Sequence, residues 1–145
     1  MAKAERRANV VWRGNLQKGS GTFELASSGA AQDLPVTWAS RTERPDGKTS
    51  PEELIAAAHA SCFAMAFSNT LAQQGNEPEE LDISAVCTFD ADQLKFTTVV
   101  LDARGRVPGL DTEGFQKAAE QAEQVCPVSN ALRGNVDIRV NASLD

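Results

Sequence analysis

Thr49-Ser50-Pro51-Glu52-Glu53-Leu54-Ile55-Ala56-Ala57-Ala58-His59-Ala60-Ser61-Cys62-Phe63 decides how this chain folds. Ser50 can cap a helix, Pro51 suits the first helical position, and Glu53 completes a capping box. No further glycine or proline follows until Gly75, which reads as the stop. The spacing therefore predicts a helix from Ser50 to about Gln74, roughly 36 Å long at 1.5 Å per residue. From Leu54 to Asn76 there is no Asp, Glu, Lys or Arg; His59 and Cys62 are the titratable groups. The stretch is rich in Ala, Ser, Gln and Asn rather than Leu and Ile, so it reads as a buried helix, not a membrane span. A helix apolar on nearly all sides must be enclosed on nearly all sides. One small domain can hardly do that, which predicts a homodimer.

Outward from this helix the pattern changes period. On the C-terminal side Leu81, Ile83, Ala85, Cys87 and Phe89 alternate with polar residues, as in a half-buried strand. Asp90-Ala91-Asp92 turns the chain into a partner strand over 93–103. Asp111 or Thr112 starts a second helix with Phe115, Ala118, Ala119, Ala122 and Val125 as its apolar stripe. Pro127 disfavours helical geometry at Cys126 and opens a short helix ending near Gly134. Val136, Ile138, Val140, Ala142 and Leu144 alternate in a last strand. On the N-terminal side Val10-Val11-Trp12 and Thr22-Phe23-Glu24-Leu25 flank Gly19-Ser20-Gly21, a hairpin signal. A third strand is expected over 35–40, then a polar loop from Arg41 to Lys48. These strands and helices are expected in a single domain over residues 1–145.

The chain has 145 residues, enough for one domain with a sizeable core. Its net charge of −6 gives no electrostatic reason to bind nucleic acid or an anionic membrane. The polar N-terminus is not followed by an apolar signal region, so a cytoplasmic location is expected. Three cysteines are an odd number and too sparse for a disulfide scaffold; in a reducing compartment such cysteines are catalytic, metal-binding or inert.

Two of the three stand in unusual contexts. Cys62 lies in the least charged stretch, and Cys126, in Val125-Cys126-Pro127-Val128-Ser129, precedes a proline at a helix start. Such a pair points to thiol chemistry in which one sulfur attacks and the other resolves. The bland alternative is that Cys62 is a small apolar core residue and Cys126 a residue at a helix cap. An ordinary thiol is only ~3% thiolate at neutral pH, so a nucleophile needs a cation or donor nearby. Cys62 lies mid-helix, too far from its own helix terminus, which leaves Arg41 as the leading partner. Glu52, ten residues before Cys62, can hold a guanidinium by a bidentate pair. Cys87 alternates in register with core residues and reads as core. His59, one turn before Cys62, reads as a packed or hydrogen-bonded histidine rather than a metal ligand, because no second pair of ligands lies near it.

The stretch from Thr49 to Phe63 resembles the signature of the OsmC/Ohr family, osmotically induced protein C and organic hydroperoxide resistance, and Val125-Cys126-Pro127-Val128-Ser129 resembles its second motif. The Ala-His-Ala-Ser-Cys-Phe wording is similar to the OsmC branch. The resemblance implies an α+β fold with antiparallel sheets and a long buried central helix, in an intertwined homodimer with the long helices at its core and active sites at the interface. It implies Cys62 as peroxidatic nucleophile, Cys126 as resolving thiol, Glu52 as the carboxylate that orients the arginine, and Arg41 as the arginine that activates the thiolate. The loop after Arg41 is one residue longer than the pattern, so Arg44 is the alternative. The implied reaction is thiol-dependent reduction of organic hydroperoxides, and more weakly of hydrogen peroxide, to alcohols, through a Cys62–Cys126 disulfide. A dithiol of the lipoyl type would serve as reductant, with no metal, haem or flavin. Phe63, Met65, Phe67 and Trp38 are expected to favour organic peroxides. A non-enzymatic thiol redox sensor or a small-ligand carrier on the same fold is the rival reading, with a metal-binding module behind it.

Overall fold

The computed structural model describes residues 3–145. The chain divides into two compact units, Met1–Pro51 and Glu52–Asp145.

The N-terminal unit is a three-stranded antiparallel sheet in the order β1 (Asn9–Arg13), β2 (Ser20–Glu24), β3 (Leu34–Val36), followed by a short helix α1 (Trp38–Thr42). The hairpin turn falls earlier than the glycines suggest. Asn15 closes it by accepting from the backbone N–H of Lys18 at its side chain and from that of Gly19 at its carbonyl. Gly21 belongs to β2 opposite Trp12, where a Cβ would come within 2.7 Å of the indole ring. That glycine makes room for the aromatic cover and does not make the turn. The expected third strand over 35–40 is cut short at Val36. Thr37 caps α1 through a reciprocal capping box with Ser40, so residues from Trp38 on are helical. Arg41 therefore sits on a helix rather than in the loop expected from 41 to 48.

The C-terminal unit opens with all but the first residue of α2 (Pro51–Gln73), whose bounds agree with the reading of Pro51 and Gly75. Gly75 has φ of 82°, its N–H bonds to Ala72, and that of Asn76 bonds to Leu71. These two bonds are the Schellman stop that glycine at this position permits. Then come β4 (Glu80–Asp90), β5 (Lys95–Arg106), α3 (Thr112–Val125), α4 (Pro127–Leu132) and β6 (Asp137–Leu144). β4 and β5 pair antiparallel, as expected. β6 joins the other edge of β5 in parallel, a correction to an all-antiparallel sheet. The crossover through α3 and α4 is long enough to return the chain to the same end of the sheet.

The core of this unit forms where Phe63, Phe67 and Leu71 of α2 meet Val99, Leu101 and Ala103 of β5 and Phe115, Ala118, Ala119 and Ala122 of α3. Phe67 packs on Phe63 at 5.5 Å and on Phe115 at 4.8 Å between ring centroids. Gly105 admits the Phe115 ring, since a Cβ there would lie 2.5 Å from it. Val125, expected in the α3 stripe, is exposed, and Glu123 is buried in its stead. A carboxylate tolerates that place because Arg133 pairs with it at 2.5 Å.

Candidate active site

Two local sequence features bring Cys62 and Cys126 together. On α2 the residues Glu52, His59, Phe63, Phe67 and Leu71 form one buried stripe at spacings of seven and four. Cys62 lies beside this stripe and is half-buried. At the other partner, Pro127 keeps Cys126 out of helical geometry. Cys126 has φ −76° and ψ 117°, and serves as the C-cap of α3 and the N-cap of α4. The elbow turns its side chain wholly into the interior.

There Cys126 belongs to the buried core cluster against which Cys62 packs. Burial pushes the Cys62 thiol up; the Val128 N–H draws it down; the hydrogen bond and charge of Cys126 push it up again. The net direction is upward, opposite to what a nucleophile at neutral pH needs. The donor that does help comes from the first turn of α4. Reading α2 alone found its own terminus too far away and missed this second helix. All three cysteines are free thiols.

One turn before Cys62, His59 is wholly buried, and its Nε2 lies 2.7 Å from Ser129 Oγ, also wholly buried. Burial lowers the His59 pKa, partly offset by the charge of Glu123, so the ring is neutral at neutral pH. Its Nδ1 is buried with no hydrogen-bond partner among the described residues. Glu123 is held by Arg133, which also donates to the Glu123 backbone carbonyl at 3.1 Å and to the Asn130 side chain. Arg133 is the C-cap of α4, so this cluster ties the end of α3 to the end of α4. The hydrogen-bonded histidine was expected; Ser129, Glu123 and Arg133 were not, since partners so far apart in sequence leave no local signal.

Glu52 is nearly buried in the first turn of α2. Its charge reaches Cys87 and adds to burial in pushing that thiol up. Cys87 packs against the core, as its strand register predicts. Arg41 belongs to the N-terminal unit, half-buried in the last turn of α1, with its guanidinium 5.7 Å from the centroid of the Trp38 ring. Arg44 is exposed. Of the apolar residues expected to greet a substrate, Phe63 and Phe67 lie in the core against each other and Phe115, while Met65 is exposed.

A sequence profile of the OsmC-like protein family matches residues 44–141. The chain is similar to Peroxiredoxin OsmC of Escherichia coli (strain K12), 34% identical over 92% of this chain and 93% of that one. It is similar to the organic hydroperoxide resistance protein of Xanthomonas axonopodis pv. citri (strain 306), 38% identical over 62% of this chain and 63% of that one. Among solved structures it is similar to an organic hydroperoxide resistance protein from Elizabethkingia anophelis, with a TM-score of 0.76 and 25% identity over 99% of this chain and 100% of the other. An organic hydroperoxide resistance protein OsmC from Legionella pneumophila gives 0.73 and 28% over 97% and 99%.

Proposed function

The chain belongs to the OsmC-like protein family, and from that membership we propose that it is a cysteine-based peroxidase that reduces organic hydroperoxides to alcohols. The single observation that supports this most is that Cys62 packs against the core cluster that holds Cys126. Cys62, the half-buried member, is the one a substrate can reach; Cys126, wholly buried beside it, is suited to resolve.

The Cys62 thiolate attacks the distal peroxide oxygen, breaking the O–O bond. The alkoxide leaves and takes up a proton as the alcohol, and Cys62 becomes a sulfenic acid. The Cys126 sulfur then displaces hydroxide from the Cys62 sulfur, giving a Cys62–Cys126 disulfide and water. An external dithiol, of the lipoyl type in this reading, reduces the disulfide and is itself oxidised to its cyclic disulfide.

The environment within the C-terminal unit pushes the Cys62 thiol up. Attack at neutral pH therefore asks for a cation beyond the Val128 N–H. Arg41 supplies it in this proposal, oriented by Glu52, on the match of both positions to the family motif. Residues 1–145 then act as one OsmC-like domain, a proposal supported by solved relatives that align along nearly the whole chain.

We place the enzyme as a homodimer in the cytoplasm. By length and composition α2 is apolar enough to cross a membrane, yet only 22% of its most apolar window is buried within this chain. A groove between α2 and β4, lined by Ala57, Ala60, Ala64, Leu81 and Ile83 together with Ser61, Glu80 and Asp82, is left open. A second copy covering this face would complete the enclosure that a helix uncharged beyond its first turn requires.

Steady-state assays of cumene, tert-butyl and hydrogen peroxide with dithiothreitol or dihydrolipoamide test the proposal. Many turnovers, fastest with an organic peroxide, are expected. Consumption of one equivalent and no more would replace the enzyme by a redox sensor.

A further inference from the structure

We propose that His59 is a positioning residue: through its buried hydrogen bond to Ser129 it seats the first turn of α4 on α2 and so holds Cys126 against Cys62. The assignment rests on the peroxidase reading for its purpose, but not for its geometry.

His59 and Cys62 are three residues apart, one turn of the same helix. Val128 and Ser129 are neighbours in the first turn of α4. Ser129 Oγ meets His59 Nε2 at 2.7 Å, both wholly buried, and beside them Cys62 on α2 and Val128 on α4 pack against the core cluster that holds Cys126. The directional bond adds to that packing a fixed seat for the first turn of α4 on α2. α4 needs such a tie, because its N-cap, Cys126, makes no side-chain capping bond. Glu123 and Arg133 brace the elbow internally but do not link it to α2.

The tie also has the right independence from the chemistry. When Cys62 becomes a sulfenic acid its sulfur carries a new oxygen and its surroundings must adjust. The imidazole and the serine hydroxyl are not among the reacting groups, so their bond persists while Cys126 must attack. A packing residue would serve as well if filling space were the purpose. Instead the chain buries an imidazole with one nitrogen lacking a partner among the described residues, which is costly in an apolar interior.

The test compares wild type with His59→Leu, Ser129→Ala and His59→Gln, whose amide nitrogen can stand where Nε2 does. Thermal unfolding first confirms that each is folded; Ser129→Ala, which removes one oxygen, keeps the test alive if His59→Leu does not fold. Diamide, which takes the two hydrogens of a dithiol, drives Cys62–Cys126 disulfide formation without peroxide, and quenched intact-mass spectrometry follows it. Ser129→Ala and His59→Leu should close the disulfide about tenfold to a hundredfold more slowly, as for reacting groups displaced by a fraction of an ångström to an ångström. Alkylation of Cys62 at pH 7 should also slow, because the Val128 N–H that draws the Cys62 thiol down moves with the first turn of α4. His59→Gln should recover most of both rates. With one equivalent of cumene hydroperoxide the slow variants should accumulate sulfenate. Wild-type disulfide rates in folded Ser129→Ala, or a His59→Gln as impaired as His59→Leu, would overturn the assignment. If wild type turns over no peroxide but the diamide difference stands, the peroxidase reading fails and the positioning role survives.

Discussion

His59 Nε2 lies 2.7 Å from Ser129 Oγ, joining the middle of α2 to the first turn of α4 inside the protein. Where Ser129 stands depends in turn on where the elbow of Cys126 and Pro127 puts the chain.

The two cysteines should separate by role. Cys62→Ser should abolish peroxide turnover, since serine is nearly isosteric and a poor nucleophile at neutral pH. Cys126→Ser should still consume one equivalent, then advance to sulfinate in excess peroxide. Intact-mass spectrometry distinguishes a loss of two hydrogens in wild type from a gain of oxygen in the variant. A stable oxygen on wild type, with Cys126 still alkylatable, would refute the disulfide route.

Arg41→Ala should slow peroxide attack about a hundredfold or more, because thiolate and leaving oxygen both lose their cation. Arg44→Ala should have much less effect. The pH dependence of Cys62 alkylation in each variant checks the assignment. A shift in Arg44→Ala alone would mean that the loop register is displaced by the extra residue.

Light scattering at micromolar concentration should give the mass of a dimer. Met65, exposed on α2, lies on a helix that the single chain leaves largely uncovered. Met65→Glu should then weaken association, through a charge forced into an apolar contact. A monomeric wild type would remove the premise.

His59 makes stability depend on pH. Its pKa is lowered in the folded state by burial, with Glu123 partly offsetting. As pH falls below the ordinary 6.5, the unfolded chain takes up a proton that the folded one refuses. The stabilisation is thus complete above 6.5 and is lost as pH falls toward the folded value. Urea midpoints measured downward from pH 7.5 should decline through this range in wild type. His59→Gln should remove that part of the decline; an unchanged slope would show that other groups cause it.

Much of the fold was legible because it is written locally. Pro51 and Gly75 bound α2 through backbone constraints that act within a few residues. The alternation from Leu81 to Phe89 set which side of β4 meets the core. Pro127 forced the break between α3 and α4. Local signals also misled where a competing one was stronger: the Thr37–Ser40 capping box overrode the strand expected over 35–40, and Gly21 was claimed by the Trp12 ring rather than by the turn.

The sequence by itself determined where the two cysteine-bearing motifs lie, because the stretches around Cys62 and Cys126 are contiguous runs whose types and order can be read directly. Only the tertiary structure decided how those sulfurs are treated. The His59–Ser129 bond and the Glu123–Arg133 pair join groups from different elements. Hydrogen bonds and desolvation depend on distance in space, which nothing in a linear spacing of residues specifies.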